Sequence, residues 1–387
     1  MEASNVGSLE SLSGGAMKPF ELRTIERELR DLWKEKPEEA AQPGKRTTMR
    51  ACVLNLLIYQ EGDEQGSLSE TILDITKHHP SRVLVLSTRP NSLHDNIGAE
   101  VSAVCHFTPG RGKQICSEQI YIAAEGNAVK RLAATAMPLF VSDLPVVLWW
   151  RGVPIDGQPF RGLLSAADRV ILDSNYLPRP TIFLSVLAAM AREHFSHVAF
   201  SDLNWARLTQ LRSHIAGLFD VPDLRNYLRD LNKLLIEYPA SEADKELPSP
   251  QAMLLLGWLA SRLHWNTDPD IFQSKSGAHM FKFKSNEREI TVDMVPVDTM
   301  KEQDMRLTMT MTDNTGWQEA RIIINRAYER NAIETKLETP TICWLKDVAR
   351  YEMPSESELM VRELEIRSHD TVYENTLERA GHFVENM

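Results

Sequence analysis

The stretch that decides the fold is Met49-Arg-Ala-Cys-Val-Leu-Asn-Leu-Leu-Ile-Tyr59, a continuous apolar run typical of a strand buried on both faces. After it comes Ser67-Leu-Ser-Glu70, a capping box that predicts the start of a helix. That helix is expected to end near Pro80, and Arg82–Ser87 is a second buried strand. Strand, helix and strand in this order form a βαβ unit, which predicts a parallel sheet.

The alternation of strands and helices continues to Trp265 with one interruption. Ala99–Phe107 and Gln114–Ala123 have strand character around the turn-forming segment Thr108–Lys113, and together they predict an inserted β-hairpin. Beyond Trp265, short strands follow one another with only turns between them, which indicates antiparallel pairing. A capping box at Ser355–Glu358 then predicts the first of two terminal helices.

These patterns predict an α/β fold. A doubly wound, mostly parallel sheet with an inserted β-hairpin precedes a smaller α+β domain with antiparallel strands and terminal helices. The predicted domains are a disordered tail over 1–17, a Rossmann-like α/β domain over 18–265 and an α+β C-terminal domain over 266–387.

The charge and hydropathy of the sequence argue against binding to nucleic acid and to membranes. The 387 residues include 43 Lys and Arg and 54 Asp and Glu, a formal charge of −11. An acidic balance argues against a general binder of nucleic acid or of anionic membranes, whose affinity rests on excess cations. No apolar run has the roughly 18 residues of a membrane span, and residues 1–16 have no basic region and no apolar core of a signal peptide. With four dispersed cysteines, we expect a cytoplasmic protein that does not bind membranes.

The motifs of common enzyme classes are absent from the sequence. There is no G-x-G-x-x-G, no G-x-x-x-x-G-K-[ST], no G-x-S-x-G and no H-E-x-x-H. Cysteine and histidine do not recur at zinc-binding spacing. We therefore predict no catalytic residue, no metal and no cofactor. An enzyme without any of these motifs stays an open alternative, although the sequence offers no starting point for one.

The candidate partner-binding segment is Pro138–Gly152, where a predicted strand ends in Trp149, Trp150 and Arg151. The carboxyl edge of a parallel sheet is where α/β domains bind ligands and partners, and Trp and Arg are enriched at binding hot spots. Alternation along the strand places the two tryptophans on opposite faces, so one is assigned to the core. Two further residues complete the proposed partner-binding set: Asp143 and Trp205.

A second candidate site would bind an anion. His79, Ser81 and Arg82 follow the first predicted helix, and Lys113 lies in the glycine-bearing hairpin turn. Two structural interpretations compete with this one. A histidine at a helix end interacts favourably with the helix dipole, and a charged hairpin turn is simply solvated.

Cys105 and Cys116 form a possible redox pair. If the hairpin turn is centred between Gly110 and Arg111, the two cysteines lie opposite each other with Cβ atoms about 5 Å apart. A disulfide or a redox switch is one interpretation. Two buried thiols that pack as small apolar groups are the alternative, which a reducing cytoplasm favours.

Several strings, in the same order along the chain, resemble the glucose-6-phosphate dehydrogenase assembly protein family (OpcA). They are Arg50–Leu56, His79–Arg82, Cys116–Ile120, Asp143–Trp150, Arg169–Ser174, Asp202–Leu208, Gly257–Arg262, Pro354–Leu359 and Val372–Glu374. The resemblance covers most of the chain beyond residue 48. It implies a non-catalytic accessory protein that binds glucose-6-phosphate dehydrogenase, activates it and helps its oligomer assemble.

An alternative from another class stays open. The chain would then be an enzyme or sensor for a sugar phosphate, with a site at the carboxyl edge of the sheet formed by His79, Arg82, Lys113 and Arg151. Binding of glucose 6-phosphate to the isolated protein, without the dehydrogenase, would distinguish this alternative.

Overall fold

A computed structural model describes residues 11–13, 18–33, 47–62, 65–108, 113–153, 157–194, 197–240, 246–274, 277–285, 288–312, 319–339 and 345–387. Most of the predicted tail over 1–17 lies outside these residues, as does the hairpin turn over 109–112; Ser11–Ser13 form a short strand.

Strands and helices are numbered along the chain. The strands are β1 Ser11–Ser13, β2 Lys18–Pro19, β3 Thr47–Arg50, β4 Leu54–Glu61, β5 Ser81–Arg89, β6 Asn96–Thr108, β7 Lys113–Glu125, β8 Val146–Arg151, β9 Arg169–Leu172, β10 Ala199–Asp202, β11 Leu231–Pro239, β12 Asp270–Gln273, β13 His279–Ser285, β14 Arg288–Val297, β15 Met305–Thr312, β16 Glu319–Ala327, β17 Ala332–Glu338 and β18 Leu345–Arg350. The α-helices are α1 Leu22–Leu32, α2 Gln65–His78, α3 Leu132–Ala136, α4 Phe160–Leu164, α5 Pro180–His194, α6 Leu203–Arg207, α7 Thr209–Leu218, α8 Pro222–Leu228, α9 Pro250–Arg262, α10 Glu356–Glu365 and α11 Thr371–Glu385.

The chain forms two compact units, and neither is one continuous stretch of sequence. The first takes Met1–Leu172, His197–Ser201 and Glu356–Arg367, and the second takes Asp173–Ser196, Asp202–Ser355 and Ser368–Met387. The domain limits at residues 17 and 265 stay predictions from the sequence.

The sheet of the first unit has the strand order β1-β6-β7-β5-β4-β8-β9-β10, with β2 on β6 and β3 on β7. Strands β7, β5, β4, β8 and β9 are parallel to their neighbours in this order, and β6 joins β7 in the antiparallel hairpin. β4 is buried along its length except for Glu61, as its mostly apolar sequence predicts; its buried residues include the polar Asn55 and Gln60. The predicted mostly parallel sheet with an inserted hairpin is confirmed.

The sheet of the second unit has the order β12-β13-β14-β11-β15-β16-β17-β18. Its pairs are antiparallel, as predicted, apart from β11 with β14, which run parallel. Helices α5, α9 and α11 belong to this unit. At Gly257 in α9 a Cβ atom would lie 2.7 Å from the Thr376 carbonyl oxygen of α11, so the absence of a side chain allows the two helices to approach closely.

Among the described residues, no helix is both long enough and apolar enough to cross a membrane.

Candidate functional site

The carboxyl ends of β4 and β8 are the point where the first sheet changes direction. The chain leaves β4 for β5 on one side and returns to β8 on the other. Parallel α/β sheets bind ligands and partners at such a switch point. Here Gln60 of β4 lies opposite Arg151 of β8. We define the strand-end site as Gln60, Arg151, Gly152 and Glu356.

Arg151 is the cation of the strand-end site. Its Nη1 lies 3.0 Å from the Glu356 Oε2, and the two side chains are 23% and 32% exposed. Its Cζ lies 4.9 Å from the ring centroid of Trp149. A guanidinium held on an aromatic face has few conformations left to lose on binding, and both of its partners leave part of it open to solvent.

The two tryptophans beside Arg151 do not reach the surface. Trp149 is 1% exposed and Trp150 is 2% exposed. Trp150 stacks on Tyr59 with ring centroids 3.8 Å apart, and it meets the edge of Phe160 at 4.8 Å. The expectation that only one of the two belongs to the core is therefore wrong: the sheet is covered on both faces, so both sides of β8 are buried.

Gln60 and Gly152 complete the site. Gln60 is buried, and neither of its side-chain amide atoms has a hydrogen-bond partner among the described residues. A Cβ at Gly152 would lie 2.3 Å from Cε1 of Tyr59, so a side chain there would displace the stacked ring. The signal for Gln60 in the sequence is a polar residue at the end of a buried strand, which sequence analysis passed over.

The other two residues of the predicted partner-binding set are not members of the strand-end site. Asp143 is exposed and has a left-handed backbone with φ of 63°. Trp205 is buried in the second unit, where its Nε1 donates to the Asp370 Oδ2 at 3.1 Å. Of the predicted set, Arg151 and Asp143 therefore offer charge to a partner, and the role of the set in binding stays a prediction.

The predicted anion-binding residues already have partners within the first unit. The Nε2 of His79 lies 3.1 Å from the Val361 carbonyl oxygen, and the buried Ser81 donates its hydroxyl to the His79 carbonyl. Arg82 donates to Glu118. Lys113 begins β7, but its side chain lies outside the described residues. An anion at this place stays a prediction.

Glu118 is a buried carboxylate that sequence analysis missed. Its oxygens accept hydrogen bonds from three side chains: Arg82 Nε at 2.8 Å, Arg50 Nη2 at 3.1 Å and Trp33 Nε1 at 2.7 Å. We call these four residues the Glu118 cluster. The alternation of residues along β7 did not indicate that the Glu118 carboxylate is buried. The side chains that neutralise its charge and donate hydrogen bonds to it are distant in sequence.

Asp202 is a second buried carboxylate, at the end of β10. Its Oδ1 accepts from the backbone N–H of Ser174 and of Asn204, at 3.0 and 2.9 Å, while its Oδ2 has no partner among the described residues. Burial, with the negative charge of Asp173 as the next cause, raises the pKa of Asp202 to about 7. The same side chain caps the N-terminus of α6.

Cys105 and Cys116 lie opposite each other in the pairing of β6 with β7, as the turn position predicted. The structure joins them by a disulfide, whereas sequence analysis favoured two packed thiols. The reason lies in the register, which places both side chains on the same face at adjacent positions. A role in redox control stays a prediction.

The disulfide predicts a thiol count. Of the four cysteines in the sequence, two are bonded to each other and Cys52 is free. We therefore expect no more than two thiols to react with Ellman's reagent after denaturation without a reductant. Reduction before the assay is expected to raise the count to all four. Four reactive thiols in the unreduced protein would contradict the bonded pair; a Cys52→Ser variant, lowering both counts by one, is the control.

Two family models match the chain in order, and both describe a subunit of glucose-6-phosphate dehydrogenase. The model of the N-terminal domain of that subunit matches residues 73–189. The model of its C-terminal domain matches residues 198–377.

Curated relatives carry a related name. The "Putative OxPP cycle protein OpcA" of Nostoc punctiforme is 31% identical over 206 residues, which are 53% of this chain and 42% of the relative. The protein of the same name from Synechocystis sp. is 30% identical over 210 residues, 54% of this chain and 41% of the relative. The chain thus matches about two fifths of the length of these relatives.

Among solved structures, the chain is similar to a "probable oxidoreductase yhhX", with 11% identity and a TM-score of 0.45, over 86% of this chain and 96% of that chain. A likeness of this size says nothing about chemistry.

Proposed function

Because the chain belongs to the OpcA family of glucose-6-phosphate dehydrogenase assembly proteins, we propose that it is a non-catalytic accessory protein. It binds glucose-6-phosphate dehydrogenase, helps the oligomer of that enzyme assemble and activates it allosterically. The observation that carries the proposal is the pair of family models, which match an N-terminal and a C-terminal domain in succession.

The strand-end site supports this proposal with a surface for recognition. Arg151 and Glu356 are both partly exposed, whereas Gln60 is buried behind them. Within the described residues, these groups do not include a nucleophile paired with a base, which acyl or phosphoryl transfer would need. An arginine anchored on an aromatic ring suits a protein interface, where Arg is enriched among hot spots.

Activation is tested by titrating the dehydrogenase with the full chain. An activator shifts the enzyme toward its active state only through a difference in its own affinity for the two states. We expect a saturable decrease in KM for glucose 6-phosphate, an increase in kcat, or both. Unchanged kinetic constants at a large excess of this protein would contradict allosteric activation, and bovine serum albumin at equal concentration is the control.

A charge swap tests whether Arg151 contacts the dehydrogenase. Arg151→Glu is expected to weaken binding by about 2 kcal/mol or more, the loss typical of a hot spot. The double variant Arg151→Glu, Glu356→Arg restores an ion pair within this chain but leaves the opposite charge at position 151. We expect the double variant to remain weak in binding, measured by biolayer interferometry against the immobilised enzyme.

The alternative outcomes of the swap are distinct. Full recovery of binding in the double variant would show that binding needs an ion pair between positions 151 and 356 and not a positive charge at position 151. Arg161→Glu is the matched control, because Arg161 is exposed in α4 of the same unit and undergoes the same change of charge. Binding reduced equally by Arg161→Glu would assign the loss to net charge and not to Arg151.

A further inference from the structure

Helices cover one face of the second sheet. Phe383 of α11 packs against Phe281 of β13 with ring centroids 6.2 Å apart, and Gln251 of α9 accepts a hydrogen bond from Arg326 of β16. The register of the strands between them places Phe281 and Arg326 on the same face. Side chains alternate along a strand, so the residues between these positions point away from the helices. We call the side formed by those residues the open face.

The open face is accessible to solvent as far as its centre. The sheet has eight strands, and β11 and β15 are its central pair. On these two strands the side chains of Lys233 and Arg306 are 55% and 43% exposed. Between them Leu235 lies opposite Thr308, and both are partly exposed. Apolar and threonine side chains surrounded by charged groups have the composition typical of interfaces between proteins.

The open face is nearly neutral, although the chain as a whole has a net charge of −11. The cations that alternation places on its six inner strands are Lys233, Lys282, Lys284, Arg306, Arg321 and Lys336. The carboxylates among its described side chains on these strands are Glu237, Glu289, Asp293, Glu334 and Glu338. Two copies of an acidic protein repel each other across most of their surfaces. A second copy therefore meets the least repulsion at this face.

The open face also has the size of a dimer interface. With neighbouring strands about 4.8 Å apart and a rise of about 3.3 Å per residue, eight strands of about seven residues span on the order of 800 Å². A stable interface between two proteins buries about 800 Å² of each partner. Two sheets that pack face to face keep their strand directions within about 30° of each other, and their side chains interdigitate.

The charges of the open face are complementary about a two-fold axis that runs parallel to the strands, between β11 and β15. Such an axis places β11 of one copy over β15 of the other. Glu237 of β11 and Arg306 of β15 are opposite each other in the register, so each carboxylate lies over the arginine of the other copy. Toward the edges, the same axis matches Lys282 of β13 with Glu338 of β17. Opposite charges meet at both places.

The other two-fold arrangement of the two faces is unfavourable. An axis perpendicular to the strands, along the row that contains Leu235, would place every strand over its own copy. Asp293 and Lys336 lie in that row, so each would meet the same charge in the other copy. Like charges that face each other across an interface oppose binding. The charge pattern thus selects the axis between β11 and β15.

We propose that the open face is the interface of a homodimer whose two-fold axis lies between β11 and β15. Closed two-fold dimers are the commonest oligomers of soluble proteins. The interface belongs to the second unit and uses no residue of the strand-end site, so it does not depend on the proposed binding of a dehydrogenase.

Size-exclusion chromatography with light scattering on the full chain, without any dehydrogenase, tests the proposal. The unaltered chain of 44.0 kDa is expected to give twice that mass and to dissociate on dilution. Arg306→Glu places carboxylates over carboxylates at the centre of the interface, and Glu237→Arg places arginines over arginines. Each variant alone is expected to dimerise at least tenfold more weakly than the unaltered chain.

An equimolar mixture of the two variants separates contacts between copies from contacts within one chain. In a mixed dimer the carboxylates of one variant lie over the arginines of the other, so the mixture is expected to recover the mass of the dimer. If the two residues paired only within one chain, mixing would restore nothing. Arg192→Glu is the matched control, because Arg192 is exposed on α5, which packs against α11. It is expected to dimerise like the unaltered chain.

Thr308→Lys gives a further variant should circular dichroism show that either charge reversal fails to fold. It keeps the pair of Arg306 and Glu237, places an unmatched cation over Leu235 of the other copy and is also expected to weaken the dimer at least tenfold. The proposal is overturned if the unaltered chain has the mass of one chain at every concentration, if the mixture of folded variants stays monomeric, or if Thr308→Lys dimerises as tightly as the unaltered chain. A monomeric chain whose Arg306→Glu variant no longer binds glucose-6-phosphate dehydrogenase would assign the open face to that enzyme and would equally overturn it.

Discussion

Replacing Glu118 with alanine is expected to lower the free energy of unfolding by about 3 to 5 kcal/mol, the usual cost of removing one partner from a buried ion pair. The Glu118 side chain is 3% exposed, and the Arg82 side chain that it pairs with at 2.6 Å is 12% exposed. Without the carboxylate, Arg82 keeps its charge but loses its counter-ion, and the Trp33 indole loses its acceptor.

Urea denaturation followed by circular dichroism measures this loss. Glu125→Ala is the matched control: Glu125 lies on the same strand, β7, and pairs with Arg89 at 3.0 Å, but that pair is largely solvated. An exposed ion pair contributes about 1 kcal/mol or less. Equal losses in the two variants would contradict the view that the Glu118 cluster holds the hairpin strand to its neighbours.

Replacing Asp202 with asparagine is expected to remove a large pH dependence of stability. The pKa of Asp202 is about 7 in the folded chain against 3.8 for the free side chain. Because the pKa is raised by folding, the folded chain holds the proton more tightly between these values. Stability from this group is therefore greatest below about pH 4 and falls as pH rises toward 7, by about 4 kcal/mol in all.

Asparagine cannot ionise, yet its Oδ1 can still accept from the Ser174 and Asn204 amides. Its amide nitrogen replaces the Oδ2 that has no partner among the described residues. We therefore expect Asp202→Asn to be more stable than the unaltered protein at pH 8 and to show a smaller loss of stability between pH 4 and pH 7. Chemical denaturation at several pH values measures both.

Asp143→Asn is the control for this second prediction. Asp143 is exposed, and asparagine tolerates the left-handed backbone at that position as well as aspartate does. It is expected to leave the pH profile unchanged. A loss of stability at pH 8 in Asp202→Asn, with the pH dependence retained, would show that the Asp202 carboxylate is charged and favourable in the folded chain.

Local patterns were sufficient to predict the first sheet. The apolar run Met49–Tyr59 was predicted as one strand but is divided between β3 and β4. The helix and strand after it form α2 and β5. The symmetry of the hairpin turn placed Cys105 opposite Cys116. In each case the signal lies within a few tens of residues, where periodicity and turn chemistry determine the structure.

The sequence patterns did not predict which strands and helices that are distant in sequence pack together. β11 falls within residues 18–265, which were predicted to form the α/β domain, but it lies between β14 and β15 in the second sheet. Helix α10 follows the second sheet in sequence yet belongs to the first unit. The sequence of an apolar strand or an amphipathic helix indicates that it is buried, but not which element it packs against. Such assignments need the tertiary structure.

The polar interior was the hardest part of the candidate sites to predict. Glu118, Asp202 and Arg326 all belong to residue types that are mostly exposed, and each is buried beside partners distant in sequence. For Trp149 and Trp150 the error was the reverse: a role at the surface was predicted, and both side chains are buried. Their position at a strand end predicted a binding edge, but the tight stacking of Trp150 on Tyr59 keeps its ring in the core.

The most direct test of the proposed function is sedimentation velocity of the purified full chain mixed with purified glucose-6-phosphate dehydrogenase, each also run alone. We predict a faster-sedimenting species that contains both proteins and a shift of the dehydrogenase toward its larger oligomer. With a net charge of −11 on this chain, the amount of complex is expected to depend on ionic strength. Two proteins that sediment independently at every ratio and at both low and physiological salt would contradict the account.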